Sequence, residues 1–293
     1  MNGLVWINGK VGPLEQATIS LHDRGYLFGD GVYELIKVYN GKAYTIPEHI
    51  KRLERSLKGV SIKVSFKTEE WISIINRLVD ESGLKEAYVY IQVTRGICPR
   101  LHNFSKDLKP SIIIYVCEMS SLPNEKREDG VLAITVPDER WSHPNLKTIN
   151  LLPNVLAKQT ATEVGAHEAL FVDAEGNVRE GASSNIFAVF GDTLVTPPTD
   201  GKILPGVTRQ VIMKICKKNK IYIKEECIQY KSLLLANEAF ISSTGSEIIG
   251  VVKLDGKVIG DGKPGSITKK IFALYMQDIY DSATNNDKEE KNE

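Results

Sequence analysis

A surplus of positive charge, clustered cysteines and long apolar runs are all missing from this sequence, and each absence excludes a class of protein. Thirty-seven lysines and arginines balance thirty-seven aspartates and glutamates among 293 residues. Nucleic acid is therefore not expected as a partner, because phosphate binding usually leaves a basic excess. No apolar stretch approaches the roughly 20 residues of a transmembrane helix, so no membrane association is expected. The opening MNGLVWINGKVG lacks the features of a secretory signal, and a cytoplasmic location is predicted.

Cysteines are few and scattered, which excludes the usual cysteine-based sites. The sequence has four, without any Cys-x-x-Cys pair, so neither a zinc site nor a redox pair is expected and no metal is predicted. Reduced thiols are typical of a cytosolic chain of this length. The remaining composition, 42% hydrophobic and 25% charged, is typical of a folded protein with a core.

Short strands joined by tight turns dominate the chain. Residues 87–94 alternate between apolar and polar as a half-buried strand does, and Asn8-Gly9 and Asn40-Gly41 are typical hairpin turns. Thr45, with Glu48 three residues on, predicts a capped helix start. Because strands outnumber helices, we predict an α+β fold with mixed or antiparallel sheets rather than a doubly wound parallel sheet. The other predicted strands are 5–7, 33–39, 43–46, 111–117, 131–136, 168–173, 185–190 and 239–243, and the other predicted helices are 71–82, 151–163, 209–217 and 266–280.

Two domains of ordinary size fit the chain length. The polar segment 121–130, which contains proline and glycine, is predicted to link an N-terminal α+β domain (1–120) to a C-terminal α+β domain (131–280) that carries Lys147. Residues 281–293, DSATNNDKEEKNE, show no apolar periodicity and are predicted to form a disordered tail.

Two loops combine features suited to binding. Segment 23–34, DRGYLFGDGVYE, has three glycines, but their spacing matches neither the dinucleotide nor the P-loop pattern. Taken alone, the segment therefore favours a tight buried turn over a ligand loop. Segment 95–102, RGICPRLH, follows a strand directly. Arg100 and His102 are two residues apart, so in an extended chain they point the same way and could grip a carboxylate; ordinary surface charge is the alternative.

A lysine, a glutamate and two loops form a second group of candidates. Lys147 stands in PNLKTIN without acidic neighbours, and a desolvated amine can react with a carbonyl carbon. Glu180 lies in VREGASSN. The helix that opens at Val207 offers free N–H groups to a phosphate, and the hydroxyl-rich 242–246, SSTGS, is suited to the same task. Taken singly, each has an ordinary structural explanation.

Read in order, these segments resemble the class IV, or fold type IV, aminotransferases, and among them the bacterial D-amino-acid aminotransferases. The resemblance covers residues 4–280 and rests on DRGYLFGDGVYE, EHIKRL, YIQVTRGICPRLH, LKTINLLPNVLAKQ, VREGASSN, LPGVTR and ISSTGSE. It implies a two-domain fold type IV architecture with pyridoxal 5′-phosphate as cofactor. The implied reaction is transamination between a D-amino acid, of the D-alanine or D-glutamate type, and a 2-oxo acid such as 2-oxoglutarate.

The resemblance also implies roles for residues at matching positions. Lys147 would carry the cofactor and move the substrate proton, and Glu180 would pair with the pyridine nitrogen. Tyr33, Arg100 and His102 would bind the substrate α-carboxylate. The Arg-x-His loop would reach in from the neighbouring subunit, which implies a homodimer with active sites at the subunit interface. The remaining cofactor-binding positions would be Arg52, Leu204, Val207, Thr208, Ser243 and Thr244.

Other functions stay open at this point. Branched-chain L-amino-acid aminotransferases and aminodeoxychorismate lyases share the cofactor residues of this fold but not the Arg-x-His arrangement. The sequence departs from the D-type pattern at Ile97 and Cys98 in the loop and at Pro153 in the next helix, where an early proline is tolerated. A binding or scaffold protein that kept the fold without the cofactor is the alternative of a different class.

Overall fold

Residues 3–119 and 122–289 are described by the structure, a computed structural model. The chain divides into two compact units. The first comprises Met1–Ser121 together with Leu146–Asn150, and the second comprises Leu122–Asn145 and Leu151–Glu293. Among the described residues, no helix combines the length and the apolar character needed to cross a membrane.

The first unit is built around an antiparallel sheet of six strands. The alternation of residues 87–94 places Val89, Ile91 and Val93 on the buried face of the sheet and Tyr88 and Tyr90 on the other, as the sequence predicts. In spatial order the strands are β2 (Lys10–Pro13), β1 (Gly3–Ile7), β6 (Ser111–Glu118), β5 (Ala87–Thr94), β3 (Gly31–Tyr39) and β4 (Lys42–Ala43).

Two helices pack on the apolar face of this sheet. Ile50, Leu53 and Leu57 recur at helical spacing on the first of them and are buried in the core. Trp71, on the second, packs edge-on against Phe66 with ring centres 5.1 Å apart. The helices of this unit are α1 (Arg24–Phe28), α2 (Ile46–Gly59) and α3 (Thr68–Ser82), and Leu14–Gln16 forms a single 3-10 turn.

A short segment from later in the chain completes the first unit. Leu146–Asn150 lies antiparallel beside the start of β3: the N–H of Tyr33 donates to the carbonyl of Lys147 at 3.0 Å, and the N–H of Ile149 donates to the carbonyl of Gly31 at 3.1 Å. Lys147 therefore belongs to the first unit, whereas sequence order predicts it in the C-terminal domain. The difference arises because its backbone partners lie far away in the sequence.

The second unit is built around a mixed sheet of ten strands. Three neighbouring pairs are parallel and the others are antiparallel. In spatial order the strands are β12 (Ile223–Glu225), β11 (Thr193–Thr196), β10 (Asn185–Phe190), β14 (Glu238–Ser243), β15 (Glu247–Leu254), β7 (Val131–Pro137), β8 (Glu168–Val172), β9 (Asn177–Gly181) and β13 (Ile228–Gln229), with β16 (Lys257–Val258) paired to β15.

The strands of this sheet are held by pairing and by core contacts, and the helices of the second unit cover it. The parallel strand pairs are β11 with β12, β15 with β7 and β7 with β8. Phe187 and Phe240, opposite each other on β10 and β14, stack with ring centres 4.7 Å apart in the core. The helices are α4 (Asn124–Glu128), α5 (Leu152–Glu163), α6 (Val207–Lys218), α7 (Tyr230–Leu233) and α8 (Ser266–Glu289).

Several local details differ from the sequence predictions. The strand predicted over 43–46 is limited to Lys42–Ala43, because Ile46 already belongs to α2. Thr45 precedes α2 in a left-handed conformation (φ 57°) and donates to the carbonyl of Tyr44 rather than capping the helix with its side chain. α4 lies inside the predicted linker, whose first residue, Ser121, is outside the described residues. α8 continues through the described part of the predicted tail, since extending a formed helix is easier than starting one; 290–293 lie outside the described residues.

Candidate active site

A buried glutamate holds the predicted cofactor residue Arg52 in place. Glu34, on the core face of β3, is fully buried, and its carboxylate accepts hydrogen bonds from Nε and Nη2 of Arg52, both at 2.7 Å. His49 Nδ1 lies 2.8 Å from the same carboxylate. Although burial acts in the opposite direction, Arg52 and His49 hold the pKa of Glu34 well below its ordinary value. The ionised carboxylate therefore orients the Arg52 guanidinium.

Lys147, the predicted cofactor lysine, lies next to this network. Its Nζ is 4.1 Å from the centre of the Tyr33 ring, and its backbone N–H donates to Ser56 Oγ on α2 at 3.1 Å. Burial, helped by the charges of Arg52 and Lys147, lowers the pKa of His49, so its imidazole is neutral at pH 7. The first unit thus brings together Lys147, Tyr33 and Arg52 around the first half of β3.

Arg100 and His102 lie in the loop that follows β5, and both are exposed. Arg100 Cζ is 5.2 Å from the centre of the Phe28 ring, and the imidazole centre of His102 is 5.5 Å from it. The two side chains therefore share one side of the loop, as their spacing predicts. Tyr33 instead contacts Lys147 and stacks on Tyr90. Among the described residues of one chain, Arg100 and His102 form a cluster of their own.

Glu180 is the centre of the predicted residues in the second unit. It lies in β9, is 4% exposed, and accepts hydrogen bonds from the backbone N–H of Leu204 at 2.9 and 3.0 Å and from Asn185 Nδ2 at 3.0 Å. Nη1 of Arg140 donates to the same carboxylate at 2.5 Å. Arg140 is itself held by a two-point pair with Asp138 at 2.9 and 2.8 Å. The carboxylate of Glu180 is therefore fixed in direction by donors on both of its oxygens.

The protonation of Glu180 is finely balanced. Burial raises its pKa to about 7, even though Arg140 and the N–H of Leu204 favour the charged form. A carboxyl balanced in this way responds strongly to one more positive group beside it, because a cation stabilises the carboxylate. This property suits the role that the resemblance implies, the pairing with a protonated pyridine nitrogen.

Leu204, Val207 and Thr208 lie where the chain enters α6. Gly206 caps this helix, and Val207 and Thr208 form its first, buried turn. A Cβ on Gly206 would fall 2.1 Å from Asn185 Oδ1, so a glycine is needed for this close approach. Asn185 Nδ2 also donates to the carbonyl of Leu204 at 2.9 Å. The first turn of α6, whose N–H groups and dipole favour anions, is thereby tied to β10.

Ser243 and Thr244 lie at the turn between β14 and β15. Ser243 Oγ accepts a hydrogen bond from the N–H of Ser246 at 3.0 Å, which closes the turn. Ser242, the residue before, is the cross-strand partner of Asn185. The hydroxyl turn, which carries Ser243 and Thr244, therefore lies at the end of the strand that pairs with Asn185. The six predicted residues of the second unit thus lie on neighbouring segments: Glu180, Leu204, Val207, Thr208, Ser243 and Thr244.

Several residues of these clusters have no assigned role in the sequence analysis. Glu34 and Asn185 lie inside segments that carry the resemblance, but only their hydrogen bonds reveal what they hold. Arg140, in VPDERW, has no sequence signal for its contact with Glu180, because Glu180 is 40 residues further along the chain. The catalytic and binding roles of the predicted residues stay predictions.

Comparison with known proteins decides the family. The model of the amino-transferase class IV family matches residues 31–254. The chain belongs to this family. The D-alanine aminotransferase of Bacillus licheniformis is 39% identical over 275 residues, which cover 94% of this chain and 96% of that protein.

Solved structures with the same fold support the membership. The Escherichia coli branched-chain amino acid aminotransferase superposes with a TM-score of 0.87 at 28% identity, covering 92% of each chain. The T.th. branched-chain amino acid aminotransferase, solved with pyridoxamine 5′-phosphate, superposes with a TM-score of 0.85 at 25% identity, covering 94% of each chain. The predicted α+β, fold type IV architecture is confirmed.

The raised pKa of Glu180 predicts a pH dependence of stability. Between its ordinary value of 4.5 and about 7, folded protein without cofactor keeps a proton on Glu180 that the unfolded chain has lost. This proton contributes stability that is present below pH 4.5 and declines as pH rises to 7, by up to about 1.4 kcal/mol per pH unit. Urea unfolding of protein freed of cofactor, from about pH 5 to about pH 8, should show this decline, and Glu180→Gln should remove it.

Asp173→Asn is the matched control for this prediction. Although burial acts in the opposite direction, Asn177 and Arg179 lower the pKa of Asp173, so its contribution to stability is lost only as pH falls below the ordinary carboxyl range. Wild-type and Asp173→Asn curves should therefore run parallel between about pH 5 and about 8. Parallel curves for wild type and Glu180→Gln would instead mean that the pKa of Glu180 is not raised.

Proposed function

We propose that this chain is a pyridoxal-phosphate enzyme that exchanges the amino group of a D-amino acid, of the D-alanine type, with the oxygen of a 2-oxo acid such as 2-oxoglutarate. The observation that carries the proposal is the 39% identity to the Bacillus licheniformis D-alanine aminotransferase over 94% of this chain. Arg100 and His102 support the same substrate class, because two cationic or donor groups on one side of a loop are suited to a carboxylate.

The residues present fit pyridoxal 5′-phosphate. Glu180 offers a buried carboxyl whose balanced protonation suits a pyridine nitrogen. The first turn of α6 and the hydroxyl turn at Ser243 offer donors for a phosphate, Arg52 offers a guanidinium, and Lys147 offers the primary amine. When bound, the cofactor supplies an electron-withdrawing ring that stabilises negative charge at the substrate Cα.

Lys147 has two tasks at one atom in this proposal. Its Nζ would hold the cofactor in the resting enzyme, and during turnover it would take the proton from the substrate Cα and pass it to the cofactor rather than back to Cα. The Tyr33 ring, 4.1 Å from Nζ, limits where the amine can move. Arg100 and His102 hold the α-carboxylate and so decide which face of Cα presents its hydrogen to Lys147. The configuration of the amino acid depends on that choice.

A homodimer and a cytoplasmic location are also predicted by the sequence, and both stay predictions. Exposed apolar side chains beside the Arg100–His102 loop support the dimer, because contiguous apolar surface favours contact with a partner. Tyr26 is 67% exposed, Ile97 51% and Leu101 56%. A second copy of the chain is the partner that the resemblance implies for this loop.

Branched-chain L-amino-acid transamination is the second candidate function. The observation that favours it is the likeness to the Escherichia coli branched-chain amino acid aminotransferase, with a TM-score of 0.87. The two candidates share a fold and a cofactor, so they differ only in the donor that is accepted.

The donor profile tests the proposed function. Purified protein with pyridoxal phosphate and 2-oxoglutarate should convert D-alanine to pyruvate at a rate at least about tenfold above that with L-leucine, since a difference of about 1.4 kcal/mol in transition-state binding gives that ratio. L-Alanine serves as the matched control for configuration. Turnover of L-leucine without turnover of D-alanine would establish the second candidate instead.

Lys147→Ala tests which lysine holds the cofactor. The variant should lose the visible absorbance band of lysine-bound pyridoxal phosphate, because the side chain no longer has an amine. Borohydride reduction of the wild type, followed by peptide mass spectrometry, should place the phosphopyridoxyl group on Lys147. Lys37→Met is the matched control, since Lys37 is a buried lysine that also lies beside a tyrosine ring of this unit, with its Nζ 4.8 Å from the ring centre of Tyr39. Label found on another lysine would refute the assignment.

Arg100→Ala tests the carboxylate contact. Loss of a charged hydrogen bond to the carboxylate should raise the KM for D-alanine about 10- to 100-fold while the absorbance band stays intact. Lys106→Ala, which removes an exposed basic side chain from the same loop region, should leave KM within about twofold. Equal effects of the two variants would mean that Arg100 contributes only general positive charge.

Mixing the two impaired variants then tests whether the loop acts across subunits. Consider a hybrid dimer of one Lys147→Ala chain and one Arg100→Ala chain. If each site takes its lysine from one chain and its arginine from the other, one of the two sites has both wild-type residues and the other has both substitutions. Activity should therefore return when the two variants are unfolded and refolded together. No recovery, with hybrids present by native mass spectrometry, would place Arg100 in the same site as the lysine of its own chain.

A further inference from the structure

The buried side chain of Arg24 holds the backbone of the Arg100–His102 loop. Arg24 opens α1, is 4% exposed, and donates from Nη1 to the carbonyl of Leu101 at 2.5 Å and from Nη2 to the carbonyl of His102 at 3.1 Å. One guanidinium therefore spans two consecutive peptide groups at the point where the predicted carboxylate-binding side chains leave the loop.

Arg24 is itself firmly anchored. Its Nε donates to Asp30 Oδ2 at 2.7 Å, and Asp30 also accepts two hydrogen bonds from Arg95 at 2.8 and 2.9 Å. Although burial acts in the opposite direction, the two arginines hold the pKa of Asp30 below its ordinary value. The Phe28 ring, 4.8 Å from Arg24 Cζ, covers the guanidinium. A planar group fixed in this way keeps its donors in one direction.

Among the described residues, the only other backbone hydrogen bond near the functional residues of the loop closes a turn within it, from the N–H of Leu101 to the carbonyl of Pro99 at 2.8 Å. The beginning of the loop is held by a bridge between Ile97 and Asp23 and by the bond from the N–H of Cys98 to the carbonyl of His22 at 3.3 Å. Arg100, Leu101 and His102 belong to no helix or strand and are exposed. Side chains on such a segment keep a defined direction only if something holds its backbone.

The other end of α1 contacts the side chains of the loop. Phe28 lies 5.2 Å from Arg100 Cζ and 5.5 Å from the imidazole of His102. α1 therefore acts on the loop twice, through the carbonyl groups that Arg24 binds and through the ring against which both functional side chains rest.

We propose that Arg24 is a positioning residue for substrate recognition: by binding the carbonyls of Leu101 and His102 it aims Arg100 and His102 at the substrate α-carboxylate. This inference rests on the proposed function, since it needs the Arg100–His102 pair to bind that carboxylate. Arg24 itself touches neither substrate nor cofactor in this proposal. Arg24, a residue of the glycine-rich segment 23–34, thus has a role that neither the turn pattern nor the resemblance implies.

Arg24→Met in the holoenzyme, compared with wild type, tests the inference. The variant keeps the length and much of the apolar contact of the side chain but loses every donor. Two amino donors are compared in the first half-reaction by stopped-flow absorbance: D-alanine, and ethylamine, which is D-alanine without its carboxylate. We expect the rate ratio of D-alanine to ethylamine to fall about tenfold or more, through a higher apparent Kd for D-alanine. The reaction with ethylamine and the Kd for pyridoxal phosphate should stay within about twofold of wild type.

Arg95→Met is the matched control. Arg95 binds the same Asp30, but its other donors go to the carbonyls of Val60 and Ser61 rather than to the loop carbonyls. It should lose stability without changing the ratio. A fall of the same size in Arg24→Met and Arg95→Met would overturn the inference, because loss of the Asp30 cluster would then explain both.

Arg24→Lys covers the case in which Arg24→Met does not fold. An ammonium can pair with Asp30 but cannot span two carbonyls as the planar guanidinium does, so the ratio should fall by about threefold or more. A wild-type ratio in a folded Arg24 variant, with Arg100→Ala still lowering it, would overturn the inference and leave the proposed function standing. An unchanged ratio in Arg100→Ala would remove the premise that Arg100 binds the carboxylate and so overturn the inference, whereas the proposed function is decided separately by the donor profile.

Discussion

The buried charge of Glu34 is the constraint around which the first unit is arranged. A carboxylate that is fully removed from water needs a charged partner and hydrogen-bond donors, because an unpaired buried charge would cost on the order of several kcal/mol. Those partners, Arg52 and His49, lie on α2, so the pairing fixes the register of α2 against β3. Two hydrogen bonds hold the backbone of Lys147. One comes from the N–H of Tyr33, the neighbour of Glu34 on β3, and the other goes to Ser56, one turn beyond Arg52 on α2. An error in that register would displace the lysine.

The second unit treats its central carboxylate differently. Glu180 is also buried, yet its pKa is raised rather than lowered, although Arg140 donates to it directly. Arg140 divides its guanidinium between Glu180 and Asp138, so part of its charge is already neutralised. Glu34 accepts from an arginine at two points and from a histidine as well. One carboxylate serves as a fixed anchor, and the other is left responsive to what binds beside it.

The residues that sequence patterns could and could not reveal differ in where their partners lie. The alternation of 87–94 and the helical spacing of Ile50, Leu53 and Leu57 are local properties, and the structure reproduces both. Lys147, Glu180 and Arg100 are predicted from several short motifs that follow one another along the chain in the order that the resemblance requires. Arg24, Arg140 and Asn185 depend on partners on other elements, such as the carbonyl of His102 for Arg24. Arg140 and Asn185 meet at the carboxylate of Glu180. Neither a backbone carbonyl nor a carboxylate brought close by folding can be identified from local sequence, so these contacts required coordinates.

Thr45 illustrates a further limit of sequence patterns. Its spacing from Glu48 matches a capping box, but the hairpin that precedes α2 forces Thr45 into a left-handed conformation, and its hydroxyl turns to the carbonyl of Tyr44. The tighter requirement of the turn between β4 and α2 prevails over the local preference of the residue.

The attachment of the Arg100–His102 loop through its carbonyls has a consequence for the sequence of the loop. Every amino acid offers the same backbone carbonyl group whatever its side chain, so the contacts with Arg24 do not depend on which residues stand at Leu101 and His102. Ile97 and Cys98, where this chain departs from the D-type pattern, lie ahead of those two tethers. The loop can therefore exchange side chains at these positions while its path is kept.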